Sequence, residues 1–155
     1  MSVITKSLAA SAFGAILAAS AGIGAYAADA DHKAEWSKIH ILLVPWSQSS
    51  NAFFEAVVNG AKDAAAQQGV NVDIQFGEED QSREKTILET AVANKADGIA
   101  VNIADDNAYK EIMCKAMAQG IPVVTFNIDD SHHGAPGSSC RMAFMGQTSL
   151  PPATR

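Results

Sequence analysis

Apolar residues change their spacing repeatedly along the chain from residue 38 onward. Short apolar or alternating segments predict strands at 39–44, 70–76, 98–103 and 121–126, with 142–145 as a candidate fifth strand. Apolar positions at helical spacing lie between the first four of these segments and predict a helix in each interval. The predicted N-terminal caps are Asn51 for the first helix, Asp80 or Ser82 for the second, and Asp105 or Asp106 for the third. Gly69 and Gly120 are the predicted C-terminal ends of the first and third helices.

This alternation of strands and helices predicts an α/β fold, a three-layer sandwich with a mostly parallel sheet. In such sheets, ligands bind where the carboxyl ends of the strands lead into loops. The loops to examine for function are therefore 46–51, 77–82, 103–107 and 127–140.

The first 27 residues have the pattern of a signal peptide. Lys6 is the only charged residue before Asp29, an apolar run covers 8–23, and Ala25-Tyr26-Ala27 has the small residues of a cleavage site. A membrane anchor is the alternative, but Ala, Gly and Ser dilute the run too heavily for a stable span. We expect an exported, periplasmic protein with a flexible mature N-terminus at 28–37.

Composition narrows the range of partners. The 155 residues carry 11 Lys and Arg against 17 Asp and Glu, a net charge of −6, and no basic cluster that would attract nucleic acid. Cys114 and Cys140 are the two cysteines of a chain bound for an oxidising compartment. They either form a disulfide or stay as two buried thiols, and the sequence leaves both possibilities open.

The loop after the first predicted strand carries residues suited to binding a sugar. The Asn51 amide can donate to and accept from a hydroxyl, and an aromatic ring suits the apolar face of a sugar. Helix capping is the alternative role for Asn51, and core packing is the alternative for Phe53 and Phe54. Because adjacent helical positions diverge, one of these rings should face the core and the other the cleft. Trp46 either lines the pocket or is buried.

The ends of the third and fourth predicted strands carry further polar candidates. Asn127 stands where a side chain would point into the crevice, and Asp129 follows closely. Together they suit a neutral polyhydroxylated ligand, although a turn in which both bond their own backbone is equally compatible. Asn102 and Asp105 are weaker candidates, with capping as the favoured alternative.

The chain resembles the bacterial periplasmic sugar-binding proteins of the ribose/galactose type, the substrate-binding subunits of ABC importers. The resemblance covers about 38–147 and is carried, in order, by the segments 51–54, Gly60, Gly69, 96–99, 120–127 and 143–147. It implies that 38–147 is the N-terminal lobe of a type I periplasmic binding protein. It also implies sugar contacts at Asn51, Phe53, Phe54 and Asn127.

The resemblance further implies binding without chemistry and without a cofactor or metal. The implied partners are a sugar or polyol, an inner-membrane ABC permease and, as a further candidate, a chemoreceptor. Ribose-type members have Arg where Ile128 stands, which weakens the case for ribose itself. Members of the family are about twice as long and have two lobes, and 148–155 resembles nothing in them. We therefore expect a truncated chain that offers half a binding site.

Other functions remain as alternatives. No nucleophile elbow, P-loop or zinc-ligand spacing supports an enzyme. His132 and His133 beside Asp129 and Asp130 are weak metal candidates, because neighbouring histidines in such a loop usually face water. A sugar-responsive regulator domain of the LacI type and a non-functional truncated remnant are the other two readings.

Overall fold

The computed structural model describes residues 35–105, 107–129 and 139–146. The predicted signal peptide, the 148–155 tail, Asp106, Asp130, His132 and His133 lie outside these residues. The strands are β1 (His40–Val44), β2 (Asn71–Ile74), β3 (Gly98–Val101), β4 (Val123–Phe126) and β5 (Ala143–Met145). The helices are α1 (Ala52–Gln68), α2 (Gln81–Ala93) and α3 (Lys110–Ala118).

The five strands form one sheet in the order β2-β1-β3-β4-β5, and every neighbouring pair is parallel. The predicted α/β class and the fifth strand are therefore confirmed. Strand order reverses between β1 and β3, since β2 adds on one side of β1 and β3 on the other. Such a reversal separates the loops that leave the carboxyl ends of β1 and β3, which is where sheets of this order bind ligands.

Alternate residues of the strands point to opposite faces and build two cores. Leu42 and Val44 pack with residues of α2 and α3 in one cluster. Leu43 packs with Phe54 of α1 in the other cluster. The sheet thus lies between α1 on one face and α2 with α3 on the other, as the predicted three-layer arrangement requires.

Two of the predicted helices begin or end where the sequence indicated. The Asn51 side chain accepts a hydrogen bond from the backbone N–H of Phe53, and Gly69 ends α1 in the left-handed conformation at φ 77°. At the start of α2, Asp80 rather than Ser82 is the cap, and it accepts from the N–H groups of Ser82 and Arg83. These bonds satisfy donors that the first helical turn leaves without partners.

The third helix begins later than predicted. Asp105 accepts from the N–H groups of Asn107 and Ala108, but these residues form a separate turn. The helix starts at Lys110, after Tyr109, whose side chain makes no capping bond and is fully buried. A helix capped by Asp105 was thus the wrong expectation, because the Asp105 carboxylate satisfies the N–H groups of a turn at 107–109 and the helix begins only after that turn.

Membrane insertion has no candidate segment in this part of the chain. None of the helices within 35–105, 107–129 and 139–146 combines the length and apolarity that a membrane span requires.

Candidate functional site

The carboxyl ends of all five strands lie at one edge of the sheet, because every neighbouring pair is parallel. Asn51 follows β1 and Asn127 follows β4, with β3 between them. Strands in a sheet are spaced about 4.8 Å apart, so the two strand ends stand roughly 10 Å apart. We call this region the carboxyl edge.

Asn51 is held firmly at the carboxyl edge by its own neighbours. Its Oδ1 accepts from Phe53 N–H at 3.0 Å, and its Nδ2 donates to Ser47 Oγ at 2.8 Å. Ser47 is 4% exposed, whereas the Asn51 side chain is exposed. An amide nitrogen carries two hydrogens, so one hydrogen of Asn51 Nδ2 remains beyond the bond to Ser47 while Oδ1 caps α1.

The two neighbouring phenylalanines divide as the sequence predicted. Phe54 is 6% exposed and belongs to the core beneath α1, while Phe53 is 61% exposed. Phe53 is the second residue of α1 and therefore lies at the carboxyl edge beside Asn51. It exposes an aromatic ring next to the Asn51 amide.

Asn127 leaves β4 in the left-handed conformation, with φ 61°. Asparagine tolerates this conformation better than most residues. Its backbone N–H donates to Met145 O at 2.9 Å, so β5 fixes where the Asn127 side chain begins. That side chain is exposed, and the neighbouring Ile128 is 45% exposed.

The Asp129 carboxylate is bound by other side chains of the protein. The Arg141 guanidinium binds both of its carboxylate oxygens, and the Thr125 hydroxyl donates to Oδ1 at 2.8 Å. The side chains of Arg141 and Asp129 are 10% and 6% exposed. Sequence reasoning missed Arg141, although a lone cation after the polar loop was a usable signal.

The other predicted site residues serve the framework. Asn102 is 1% exposed and donates from Nδ2 to Phe126 O at 3.3 Å, which joins the ends of β3 and β4. Its Oδ1 has no hydrogen-bond partner among the described residues. Asp105 stabilises the turn before α3, and Trp46 is half-buried against the larger core.

A contact between two loops, which the sequence did not predict, rigidifies the carboxyl edge. The Ser49 N–H donates to the Glu78 carboxylate at 3.2 Å, and Gln48 Nε2 donates to Glu79 Oε2 at 3.3 Å. Glu78 and Glu79 both adopt the left-handed conformation, at φ 56° and 58°. The carboxylates of Glu78 and Glu79 make this part of the carboxyl edge negative. A negative surface disfavours an anionic ligand and does not repel a neutral hydroxyl compound.

A buried acid lies behind the same loops. Glu84 of α2 and Tyr109 are each 0% exposed. Desolvation raises the pKa of Glu84 to about 7, and the nearby Tyr109 hydroxyl partly offsets that rise. Burial together with the charges of Glu84, Asp105 and Asp80 raises the pKa of Tyr109. An acid of this kind keeps its proton in the folded protein well above the pH at which an exposed glutamate loses it.

Cys114 and Cys140 form a disulfide across a sequence separation of 26 residues, with their Cα atoms 4.9 Å apart. This is one of the two possibilities that the sequence left open. Cys114 lies in α3, and Cys140 immediately precedes Arg141. Within the described parts of the chain, no group of three or more His, Cys, Asp or Glu side chains is arranged to hold a metal ion.

The fold and its edge define a class: a parallel α/β lobe of strand order 2-1-3-4-5 with exposed amides and an aromatic ring at its carboxyl edge. The family model described as "Periplasmic binding protein domain" matches residues 41–150. This match spans most of the chain, and the protein belongs to the periplasmic binding protein domain family.

Individual relatives resemble parts of the chain. The ribose import binding protein RbsB of Bacillus subtilis (strain 168) is 28% identical over 81 residues, which cover 52% of this chain and 27% of the relative. A structure of GanP, a glucose-galactose binding protein from Geobacillus stearothermophilus, aligns with TM-score 0.61 and 30% identity over 70% of this chain and 37% of its own.

A carbohydrate transporter from Acidothermus cellulolyticus 11B, in complex with myo-inositol, aligns with TM-score 0.54 and 35% identity. That alignment covers 57% of this chain and 31% of the transporter. The chain thus spans about a quarter to two-fifths of the length of the relatives it matches.

Proposed function

We propose that this protein is the substrate-binding component of an ABC sugar importer and binds a sugar or polyol without breaking a bond. The observation that carries the proposal is the placement of Asn51, Phe53 and Asn127 at one edge of a parallel sheet in a chain of this family. Each of the three side chains is exposed there, and none of them is charged.

The proposed chemistry of binding is hydrogen bonding combined with ring contact. The amides of Asn51 and Asn127 supply donors and acceptors to ligand hydroxyls, and Phe53 covers an apolar face of the ligand. Asp129 is occupied by Arg141 and Thr125. It therefore contributes by holding the segment after β4, and its own contact with ligand is secondary in this proposal.

Three relatives support the ligand class. Their names state ribose import, glucose-galactose binding and a complex with myo-inositol. All four of these compounds are neutral and carry several hydroxyl groups. A neutral polyol is also compatible with the negative charge of Glu78 and Glu79 at the carboxyl edge.

The signal-peptide pattern at 1–27 and the family membership support a periplasmic location. Delivery to an ABC permease of the inner membrane would follow capture of the ligand, and a chemoreceptor is a further candidate partner. The carboxyl edge covers a ligand from one side only, and we therefore expect weak binding. The expected Kd is about 1 mM, which corresponds to a binding free energy of roughly −4 kcal/mol.

A titration followed by ¹H–¹⁵N NMR tests this proposal. Ribose, galactose and myo-inositol are added separately to the chain, and we expect amide shifts at residues 47–54 and 127–129. Asn51→Asp keeps the helix cap but loses the amide donor, and Asn127→Gly keeps the left-handed backbone but loses the side chain. Both variants should weaken binding, while Asn59→Ala, an exposed change within α1, should leave it unaltered.

The outcomes separate the alternatives. Shifts confined to the carboxyl edge and weakened by both variants support a sugar-binding lobe. No shift with any of the three ligands at 100-fold excess over a Kd of about 1 mM would contradict the proposal and favour the remnant. A protein recovered from the cytoplasm rather than the periplasm would favour the LacI-type regulator.

A further inference from the structure

Two cross-links close at neighbouring residues on the far side of the loop after β4. The Cys114–Cys140 disulfide joins this segment to α3, and the next residue, Arg141, binds the Asp129 carboxylate. Asp129 and Arg141 are 12 residues apart. Asp129 and Arg141 are therefore bonded to each other, and Cys140, next to Arg141, is bonded to α3.

The disulfide attaches to a rigid support. Cys114 lies in α3, whose neighbouring residues Ile112, Met113 and Ala116 are buried in the larger core. A helix anchored by such packing moves little relative to the sheet. Cys140 is thus held in place by a covalent bond to a helix that is packed in the core.

The cross-linked residues lead directly to Asn127. Met142 N–H donates to Val123 O at 2.8 Å, and β5 then runs alongside β4. At the end of that strand, Met145 O accepts from the Asn127 N–H at 2.9 Å. Fixing Arg141 therefore fixes the start of β5, and β5 in turn fixes the backbone of Asn127.

The ion pair is built to be difficult to replace. Both of its members are largely buried, and the guanidinium contacts both carboxylate oxygens, a geometry that an ammonium group does not reproduce. Removing Arg141 would take a two-pronged charged contact away from a carboxylate that is largely buried.

We propose that Arg141 and the Cys114–Cys140 disulfide are positioning elements that hold Asn127 in its left-handed conformation at the carboxyl edge. The consequence for ligand affinity rests on the proposed function. The positioning itself is a property of the chain that is measurable without a ligand.

Amide hydrogen exchange, followed by NMR on the full chain, tests the positioning. Arg141→Gln removes the guanidinium, Arg141→Lys keeps the charge without the two-pronged contact, and Arg83→Gln is the matched control at another arginine. In a separate sample, dithiothreitol reduces the disulfide to two thiols and is itself oxidised to its cyclic disulfide.

In Arg141→Gln and in the reduced protein, the amides of Asn127 and Met142 should exchange about tenfold faster or more. Arg141→Lys should give an intermediate rate, and Arg83→Gln should match the unaltered protein. The Asn102 amide, bonded to Val44 O at 2.9 Å beside the central strands, reports global opening. Its rate should change only by the factor that the free energy of unfolding of the same sample, measured with urea, accounts for. Unchanged exchange at Asn127 would overturn the proposal. An opening free energy at Asn127 equal to the global free energy of unfolding in each sample would also overturn it, because Asn127 would then be released only by general unfolding.

The sugar titration distinguishes failure of the positioning from failure of the function. If the unaltered protein binds and Arg141→Gln binds equally well despite faster exchange at Asn127, the link to affinity is wrong. If the unaltered protein binds no sugar while the exchange pattern is as expected, the proposed function fails and the positioning stands.

Discussion

Phe53 and Phe54 meet edge to face, with ring centroids 5.1 Å apart and planes at 82°, yet one ring is exposed and the other is in the core. Adjacent positions on α1 therefore serve two layers of the molecule. Phe54 anchors the helix N-terminus to the sheet, and Phe53 presents its ring at the carboxyl edge.

The burial of Phe54 and the exposure of Phe53 predict different effects for the same substitution at the two positions. Phe54→Ala should lower the free energy of unfolding by about 3–5 kcal/mol, because it removes a buried ring and leaves a cavity. Phe53→Ala should change it by less than about 0.5 kcal/mol and should instead weaken sugar binding. Urea unfolding and the NMR titration measure the two effects, and equal destabilisation by both variants would contradict the assignment.

The buried Glu84 predicts that stability depends on pH. Its pKa is about 7 in the folded protein against 4.5 for the ordinary group. Between pH 4.5 and pH 7, the folded state therefore keeps a proton on Glu84 that the unfolded state has already lost. The free energy of unfolding should therefore fall as pH rises from about 4.5 through 7, by roughly 2–3 kcal/mol from this residue. Urea midpoints at pH 5 and pH 8 measure the decrease.

Glu84→Gln keeps the shape of the side chain and removes its titration. This variant should flatten the decrease in stability between pH 5 and pH 8. Glu89→Gln, on an exposed position of the same helix, is the matched control and should retain it. If Glu84→Gln shows the same pH slope as the unaltered protein, Glu84 is not the group responsible.

The helix cap at Asn51 predicts a graded series. Asn51→Ala should lower the free energy of unfolding by about 1 kcal/mol, because the Phe53 N–H loses its acceptor. Asn51→Asp retains an acceptor at that position and should preserve stability. Thermal unfolding of both variants, with Asn59→Ala as the control, measures the difference, and an Asn51→Ala protein as stable as the original would show that the cap is dispensable.

The disulfide predicts a dependence on reductant. Opening a link between residues 26 apart should lower the free energy of unfolding by about 3–4 kcal/mol, since the unfolded chain gains freedom. Urea unfolding with and without dithiothreitol measures this loss. A Cys114→Ser/Cys140→Ser double variant should resemble the reduced protein and should not respond to the reductant. A response in the double variant would point to an effect unrelated to this bond.

Local features of the chain were readable because their causes are local. The period of apolar residues depends on which face of each element is buried, and the cap at Asn51 and the end at Gly69 act within one helical turn. The late start of α3 was not readable. The helix begins after Tyr109, which is buried close to Glu84 of α2, and that proximity of two residues far apart in sequence exists only in the folded chain.

The amino-acid sequence by itself determined the order of strands and helices, the class of the sheet and the candidate residues at its edge, because periodicity and capping are encoded within a few neighbouring positions. Only the tertiary structure decided that Asp129 is bound by Arg141, that Cys114 and Cys140 are joined, and that Phe53 rather than Phe54 is exposed. These three outcomes depend on which segments the folded chain brings together. The spacing of residues along the sequence does not specify which distant segments come into contact.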